Sequence, residues 1–368
     1  MTQKPRVLLL IPHLGGGGAE RVTALLACGL SSEKYEVHLG VMTRSAWPCP
    51  SLPASVTIHQ LGAGRVRAAA KPLIRLVWRL RPQIIVSGMA HLNFLVLLLR
   101  PLFPVQTRVL VRQNSMVSTD LRWGRLPFYT RLLYRWLYPA ADGIVCQTPA
   151  MAGDLTEQSG ISDALVQVLP NPIDVAAMRT SSTVWRWPGP GPHLLAIGRL
   201  SPEKGFDLLI EAFSLVRLKF PSAHLTIVGE GPAQALLMGM CRELQLLTAV
   251  SFPGYVSRPE IYFSGASLFV LSSRWEGMPN ALLEAAATGL PVAALPSSKG
   301  VVDLVRGTPG VWMANEISSQ ALADVLLTAL ESLRPNERFA HSWVEPFAMH
   351  RAIRSYENLI DRVLLSPL

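Results

Sequence analysis

The sequence RVLLLIPHLGGGGAERVTALLACGL, residues 6–30, contains a short apolar run, four consecutive glycines and a run with helical spacing of apolar residues. This order is typical of a β-strand, a tight turn and an α-helix. The bare backbone at residues 15–18 allows two interpretations. It is either a loop that binds phosphate or a strand-to-helix turn without a ligand.

Short apolar runs followed by helical patterns recur along the whole chain. In the first half they are RVLLLIP, YEVHLGVM, VTIHQL, QIIVSG, TRVLVRQ and DGIVCQ, and in the second half HLLAIGRL, HLTIVGEG, AVSFPGYV, LFVLSS and LPVAAL. Apolar strands that alternate with amphipathic helices predict parallel sheets covered on both faces. Two such sets in series predict an α/β protein with two doubly wound, Rossmann-like domains.

The domain boundaries follow from length and from a break in the pattern. A chain of 368 residues is too long for one ordinary core. The stretch WRWPGPGPH interrupts regular structure with three prolines and two glycines. We therefore predict a first domain over 1–184, a linker over 185–192, a second domain over 193–342 and a C-terminal helix within 343–368 that packs back toward the first domain. Because ligands bind at the carboxyl ends of such strands, we expect the site in the cleft between the domains.

Composition excludes several classes of protein. The four cysteines have neither metal-site nor disulfide spacing, which favours a reducing cytoplasm. The chain is 49% apolar, yet Arg100 and Pro101 interrupt its apolar run FLVLLLRPLF, so no transmembrane helix is predicted. The N-terminal apolar run ends in the glycines without a cleavage site, and we interpret it as a strand and not as a signal peptide.

Positive charge is concentrated in the first half of the chain. Residues 1–183 contain 19 Lys and Arg against 9 Asp and Glu, while the remainder contains 15 against 16. In RVRAAAKPLIRLVWRLRP and RWGRLPFYTRLLYRWLYP, basic residues stand beside apolar and aromatic ones. This pattern suits the headgroup zone of an anionic membrane. An ordinary solvated face with long arginine side chains is the alternative, and nucleic acid is the least favoured partner.

Charged residues follow two strands of the second half. Arg199 and Lys204 lie in GRLSPEKGFD, where two cations and a helix start could bind a diphosphate. Glu276 and Glu284 stand eight positions apart in SSRWEGMPNALLEAAATGLPV, the first in a loop and the second in a helix. Carboxylates accept paired hydrogen bonds from vicinal diols, so two of them suit two sugar rings. A diphosphate between two such rings is a nucleotide sugar.

Six motifs are spread along the chain: GGGGAER at 15–21, LPNPID at 169–174, IGRLSPEKGFDLLIEAF at 197–213, VGEGP at 228–232, FPGYV at 252–256 and SSRWEGMPNALLEAAATGLPV at 272–292. In these motifs the sequence resembles the family 4 retaining glycosyltransferases of the GT-B fold, in particular bacterial members with a GGAER loop. The arrangement of two glutamates eight positions apart, the first of which begins EGMPN, is highly specific for the family. The glycine run alone would be weak evidence for this family.

The resemblance implies roles for matching residues. Arg199 and Lys204 would bind the donor diphosphate, and Glu276 would face the transferred sugar. The donor-binding residues that it implies are Gly16, Gly17, Glu230, Gly231, Val256, Gly277, Met278, Pro279, Asn280 and Glu284. Among these, Glu284 would bind the ribose hydroxyls and the main chain of Val256 the base.

One position departs from the family pattern. Many relatives carry a histidine after a first-domain strand, where this chain has Arg112, Gln113 and Asn114. Asn114 is the candidate catalytic residue that stands in this place. His13 and His91 are interpreted as packing or hydrogen-bonding residues.

The resemblance further implies the chemistry. A hexose or N-acetylhexosamine would pass from a nucleotide sugar, with UDP favoured, to a lipid-linked or cell-envelope saccharide with retention at the anomeric carbon. The chain lacks an Asp-x-Asp motif, so we expect no metal and no other cofactor, with cations and helix N-termini stabilising the leaving diphosphate. We expect a cytoplasmic protein, peripheral on the inner face of the plasma membrane.

Two other functions remain open at this point. A nucleotide-sugar 2-epimerase would share the layout and the donor, but it lacks EGMPN in this form. A catalytically degenerate transferase serving as a membrane or complex subunit is the second. A NAD-dependent dehydrogenase fits poorly because no Gly-x-Gly-x-x-Gly follows a strand with an acidic residue about 20 positions later.

Overall fold

The structure, a computed structural model, describes residues 3–15, 17–43, 52–122, 129–180 and 185–366. The chain forms two compact units. Unit 1 comprises Met1–Ile173 and Pro346–Leu368, and unit 2 comprises Asp174–Glu345.

Unit 1 contains a parallel sheet whose described strands run in the order β3-β2-β1-β4-β5-β6-β7. The strands are β1 Arg6–Ile11, β2 Glu36–Val41, β3 Val56–Gln60, β4 Ile84–Gly88, β5 Arg108–Gln113, β6 Gly143–Cys146 and β7 Val166–Val168. The helices are α1 Gly18–Gly29, α2 Ala70–Leu80, α3 Ala90–Leu99, α4 Val117–Arg122, α5 Thr130–Leu137 and α6 Pro149–Ser159. Short 3₁₀ turns span Val66–Ala69, Arg100–Leu102, Tyr138–Ala140 and Asp163–Leu165.

Unit 2 repeats the architecture with the strand order β10-β9-β8-β11-β12-β13. The strands are β8 His193–Ile197, β9 His224–Val228, β10 Val250–Gly254, β11 Leu268–Leu271, β12 Val292–Ala294 and β13 Val311–Met313. The helices are α7 Val175–Thr180, α8 Phe206–Lys219, α9 Gln234–Glu243, α10 Glu260–Phe263, α11 Asn280–Ala287, α12 Lys299–Val305 and α13 Ser319–Ser332. A 3₁₀ turn spans Pro202–Lys204, and another, Ser342–Phe347, runs from unit 2 into unit 1.

The two doubly wound sheets confirm the predicted fold class. Central strands are largely apolar because helices cover both faces, and Val7 to Ile11 of β1 are at most 1% exposed. The edge strands β7 and β13 were not predicted. Each has three residues and neither is fully buried, so neither carries an apolar run long enough to identify a central strand.

The C-terminal helix α14, Met349–Leu365, belongs to unit 1 and packs against α1. A Cβ at Gly29 of α1 would lie 2.5 Å from side-chain atoms of Ile353, so the glycine permits the close approach. The Ser31 amide donates a hydrogen bond to Glu357 Oε1 at 2.9 Å. The predicted helical segment from Trp343 begins as a 3₁₀ turn that contains Pro346, and the α-helix starts only after it.

The predicted linker, residues 185–192, lies inside unit 2, whose boundary with unit 1 falls at Ile173 and not at residue 184. The Trp185 amide donates to the Ile261 carbonyl at 3.0 Å, and the Trp185 ring lies 4.7 Å from that of Tyr262. The Trp187 ring stacks on His193 at 5.0 Å. Because these two tryptophans pack onto unit 2, the stretch is part of that unit and not a separate linker. Its prolines do exclude a helix.

Strand order fixes where each sheet can bind a ligand. In unit 1 the order reverses between β1 and β4, and in unit 2 between β8 and β11. A crevice forms outside the carboxyl ends of the strands at such a switch point. The segments that follow β1, β4, β8 and β11 are therefore the positions at which substrate-binding residues are expected.

Candidate functional site

The loops after β8 and β11 are joined by a short ion pair. Lys204 Nζ lies 2.6 Å from Glu276 Oε1, and the two side chains are 24% and 9% exposed. Ser273 Oγ donates to the same carboxylate oxygen at 2.6 Å. The structure thus brings together two residues that sequence analysis placed in one site, and it orients Glu276 through two donors.

A glycine allows these loops to approach so closely. Gly205 has a left-handed backbone with φ +60°, and a Cβ there would lie 2.1 Å from the Ser272 carbonyl oxygen. Ser272 Oγ in turn donates to the Lys204 carbonyl at 2.8 Å. Only glycine satisfies both the positive φ and the backbone contact. Sequence analysis did not assign a role to Gly205 or to the serines.

Arg274 forms a second bridge between the same loops. Its Nη1 donates to Asp207 Oδ1 at 2.7 Å and its Nη2 to Oδ2 at 2.5 Å. Burial raises the pKa of the Asp207 carboxyl, but the hydrogen bonds and charge of Arg274 outweigh it, so that pKa lies below its usual value. Arg274 Nη1 also donates to the Pro202 carbonyl at 2.8 Å. Sequence analysis quoted Arg274 within the long motif without giving it a role, and a bidentate pair is not visible before the two loops are placed in space.

Arg199 differs from Lys204 in its surroundings. Its side chain is exposed two residues after the end of β8, and within the described part of the chain its guanidinium makes no ion pair. The site therefore offers one cation held by a carboxylate and one whose donors face solvent. Both can act on an anion at the switch point of unit 2.

The third segment at this edge contains Glu230 and Gly231. A Cβ at Gly231 would lie 2.3 Å from the Leu200 carbonyl oxygen, so the VGEGP loop packs directly on the backbone beside Arg199. Glu230 is exposed, and its Oε1 accepts from the Tyr255 amide at 3.2 Å. That contact connects Glu230 with the segment that contains Val256. The predicted nucleotide-binding residues of these two loops are thus neighbours.

The EGMPN segment leads into α11 as expected. Gly277 and Met278 lie in the loop, Pro279 occupies the N-cap position, and Asn280 is the first helical residue. First-turn N–H groups of a helix lack intrahelical acceptors and favour negative charge. Glu284 lies in the second turn and is 7% exposed. The predicted placement of one glutamate in the loop and one in the helix is confirmed, while their roles toward a substrate stay predictions.

The glycine loop of unit 1 has structural reasons for its glycines. Gly15 has φ +124°, which only glycine adopts readily. At Gly17, the N-cap residue of α1, a Cβ would lie 2.1 Å from Glu20 Oε2. Gly16 lies outside the described residues. The Glu20 carboxylate therefore lies where a side chain at position 17 would begin, and the phosphate role of Gly16 and Gly17 stays a prediction.

Glu20 is part of a small polar cluster at this loop. It is 6% exposed, and its Oε1 lies 3.5 Å from His13 Nε2. His13 Nδ1 lies 2.6 Å from the Gly15 carbonyl oxygen. His13 thus makes hydrogen-bonding contacts within the loop, in line with its interpretation from sequence.

Asn114 lies directly after β5, beside the buried Arg112. Asn93 Nδ2 donates to the Arg112 carbonyl at 2.9 Å, and Gln113 Nε2 donates to Tyr134 Oη at 3.1 Å. Side chains of α3 and α5 therefore fix the end of this strand. A catalytic role for Asn114 stays a prediction.

The basic segments of unit 1 present aromatic side chains to solvent. Trp78 of α2 is 50% exposed, and Trp136 of α5 is 71% exposed. Arg81 lies over the Trp78 ring at 5.9 Å. The exposed cations of α2, of α5 and of the flanking turns are Arg65, Arg67, Lys71, Arg75, Arg79, Arg81, Arg131 and Arg135. Residues 123–128 of the second basic segment lie outside the described residues.

Among the described residues, no group of three or more His, Cys, Asp or Glu side chains could hold a metal ion. The described helices likewise include none with the length and apolar character to cross a bilayer.

Comparison with known proteins agrees with this geometry. Residues 16–177 match the family profile "Glycosyltransferase Family 4", and residues 178–342 match "Glycosyl transferases group 1". The chain is 25% identical to the amylovoran biosynthesis glycosyltransferase AmsD of Erwinia amylovora, over 90% of this chain and 92% of that protein. It is 28% identical to an N-acetylgalactosaminyltransferase of Campylobacter jejuni, named for an N-acetylgalactosamine-N,N'-diacetylbacillosaminyl-diphospho-undecaprenol acceptor, over 80% and 82% of the two chains.

The fold has solved counterparts. The structure of Anabaena Alr3699/HepE in complex with UDP and glucose superimposes with a TM-score of 0.80 at 17% identity, and the match covers 97% of this chain and 100% of that one. Two parallel-sheet domains, together with both family matches and full-length relatives, establish the classification. The chain belongs to the family 4 glycosyltransferases and is an enzyme of the GT-B fold.

Proposed function

We propose that this glycosyltransferase moves a hexose or N-acetylhexosamine from a UDP-sugar to a lipid-linked or cell-envelope saccharide, with retention at the anomeric carbon. The observation that carries the proposal is the Lys204–Glu276 pair at the switch point of unit 2, beside the exposed Arg199 and the start of α11. Cations and a helix N-terminus favour a diphosphate, and carboxylates favour sugar hydroxyls.

Different residues of unit 2 bind the diphosphate, the sugar and the nucleoside of the donor. Arg199 and Lys204 neutralise the diphosphate as negative charge builds on it, without a metal ion. Glu276 orients the transferred sugar, and its contact with Lys204 keeps both groups in place before the donor binds. Glu284 binds the ribose, while Glu230 and the main chain at Val256 hold the nucleoside. Preorganised charges of this kind need no rearrangement at the moment of reaction.

The relatives support the sugar and acceptor classes. One relative is named for amylovoran biosynthesis, and another for N-acetylgalactosamine transfer to a diphospho-undecaprenol saccharide. Solved structures of the same fold are complexes with UDP, or with UDP and glucose. By analogy, this enzyme takes a UDP-sugar and extends a saccharide carried on a lipid.

Unit 1 supports a peripheral place on the cytoplasmic face of the membrane. Exposed Trp78 and Trp136 supply amphipathic rings for the headgroup zone, and the neighbouring arginines supply attraction to anionic lipids. An acceptor attached to a lipid would then be reached without leaving the bilayer surface.

The test of the transfer proposal uses point variants and a matched control. Arg199→Ala and Glu276→Ala should each lower kcat/KM by roughly 10²–10³-fold, because each removes a charge that acts on the donor. Arg242→Ala removes an exposed arginine of α9 in the same unit and should leave turnover unchanged. Transfer from radiolabelled UDP-sugars to membrane extracts measures all three. Normal turnover in both site variants would reject the assignment.

A further inference from the structure

Among the described residues of unit 1, Arg112 is the most deeply buried cation, and it lies at the carboxyl end of β5. Its side chain is 1% exposed. Nε donates to Tyr356 Oη at 3.0 Å, and Nη2 donates to Asn171 Oδ1 at 2.8 Å. The Tyr356 ring lies 5.8 Å from the guanidinium carbon. All of these partners are neutral.

The described part of the chain supplies no counterion for the charge of Arg112. Within the described residues, no carboxylate oxygen lies within 4.0 Å of the guanidinium, and Nη1 finds no acceptor. Burying an unpaired charge is expensive, and buried charges are normally paired. The arrangement is thus incomplete without an anion.

A second donor points to the same position. Asn114 Nδ2 is buried and finds no acceptor among the described residues either. A Cβ added at Gly88 would lie 3.5 Å from Arg112 Nη1 and 3.5 Å from Asn114 Nδ2. The two donors therefore flank one small space beside the last residue of β4.

The backbone around this space is strained in the manner of a functional turn. Met89 follows Gly88 and has φ +118°, a conformation that side-chain-bearing residues rarely adopt. It is also the N-cap of α3, whose first-turn N–H groups lack intrahelical acceptors. The turn follows β4, at the switch point of the sheet in unit 1, where ligands of such folds bind.

We propose that Gly88, Arg112 and Asn114 form a subsite for an oxyanion, a phosphate or carboxylate group carried by one of the transfer substrates. The identity of the group as part of a substrate rests on the proposed function, but anion binding itself does not. Arg112 Nη1 supplies the charge and Asn114 Nδ2 a second hydrogen bond. Gly88 leaves room for the oxygen.

Inorganic phosphate is the probe, and the melting temperature of the full chain is the readout. At matched ionic strength with chloride, phosphate should raise Tm saturably by about 2–4 °C. Gly88→Ala adds a methyl at ordinary contact distance from both donors, so it should fold and lose this rise. Gly153→Ala in α6, where a Cβ meets nothing within 4 Å, is the matched control and should keep it. Equal phosphate responses in wild type and Gly88→Ala, or none in wild type, would overturn the proposal.

A second variant tests the missing counterion. Asn114→Asp places a carboxylate beside the Arg112 guanidinium, so it should raise Tm without phosphate and abolish the phosphate response. A lower Tm together with an intact response would contradict the proposal. Saturating UDP distinguishes the sources of the anion. If phosphate still raises Tm in its presence, the subsite serves the acceptor, and if UDP eliminates the response in wild type, it serves the donor. Failure of the Arg199 and Glu276 variants to affect turnover would reject the transfer proposal and leave these Tm outcomes intact.

Discussion

Replacing Gly205 by alanine should separate the two loops that build the donor site. The left-handed φ of +60° costs alanine about 1 kcal/mol. The added Cβ would also lie 2.1 Å from the Ser272 carbonyl oxygen, so that oxygen must move by about 1 Å to reach normal contact. Strain and displacement together should lower the free energy of unfolding by about 2–4 kcal/mol.

The displacement has a catalytic consequence. Ser272 Oγ donates to the Lys204 carbonyl, and Ser273 Oγ donates to Glu276, so moving this backbone disturbs the Lys204–Glu276 pair. A shift of about 1 Å in a positioned group can reduce the rate about 10²-fold. Urea unfolding followed by circular dichroism measures the stability, and kcat/KM with a UDP-sugar measures the activity.

Gly307→Ala is the matched control for this prediction. Gly307 lies in the same unit and has φ +71°, but a Cβ there meets nothing within 4 Å. This variant should lose only about 1 kcal/mol of stability, because of the conformational strain, and it should retain activity. If Gly205→Ala and Gly307→Ala behave alike in both assays, the close loop contact does not organise the site and the reasoning is refuted.

Two other perturbations follow from particular contacts. Asp207→Asn should lower the free energy of unfolding by about 1–2 kcal/mol at pH 7, because it disrupts the bidentate hydrogen bonds with Arg274. Because the folded pKa of Asp207 lies below its ordinary value, this stability is present above the unfolded pKa and lost as the pH falls through the folded one. Urea unfolding should therefore show a smaller difference in the free energy of unfolding between wild type and Asp207→Asn at pH 3 than at pH 7. The same difference at both pH values would contradict this. Trp136→Ala should leave stability within about 0.5 kcal/mol but weaken binding to anionic vesicles about tenfold. Vesicle co-sedimentation measures the binding. Salt should weaken the binding of wild type to anionic vesicles, and salt-independent binding to neutral vesicles would exclude the membrane proposal.

The central strands and the donor-site motifs could be predicted because their signals are local. Apolar runs such as residues 7–11 are buried on both faces, and Lys204 and Glu276 each lie in the loop after a short strand pattern. The carboxyl-end rule brings such residues to one edge whatever the details of packing. Sequence analysis therefore placed Lys204 and Glu276 in one site, but it did not predict the ion pair between them.

Other features depend on distances that one segment alone does not determine. Gly205 needs its glycine because of the backbone of Ser272, a residue far along the chain, and at Gly17 the Glu20 carboxylate folds back to the place where a Cβ would lie. The linker was misplaced because WRWPGPGPH contains helix breakers as well as tryptophans, and the packing of Trp185 and Trp187 on unit 2 outweighed the breakers. Arg112 shows the same limit, since a buried arginine in a strand pattern does not reveal whether a carboxylate faces it.

Binding of UDP to the protein in the presence of EDTA tests the central claim most directly, because it isolates diphosphate recognition from transfer. Isothermal titration of wild type, Arg199→Ala, Lys204→Ala and the Arg242→Ala control gives the four dissociation constants. We predict that EDTA leaves the wild-type Kd unchanged and that each site variant weakens binding roughly tenfold to a hundredfold, while the control does not. Wild-type binding that disappears with EDTA, or site variants that bind UDP as tightly as wild type, would contradict the account.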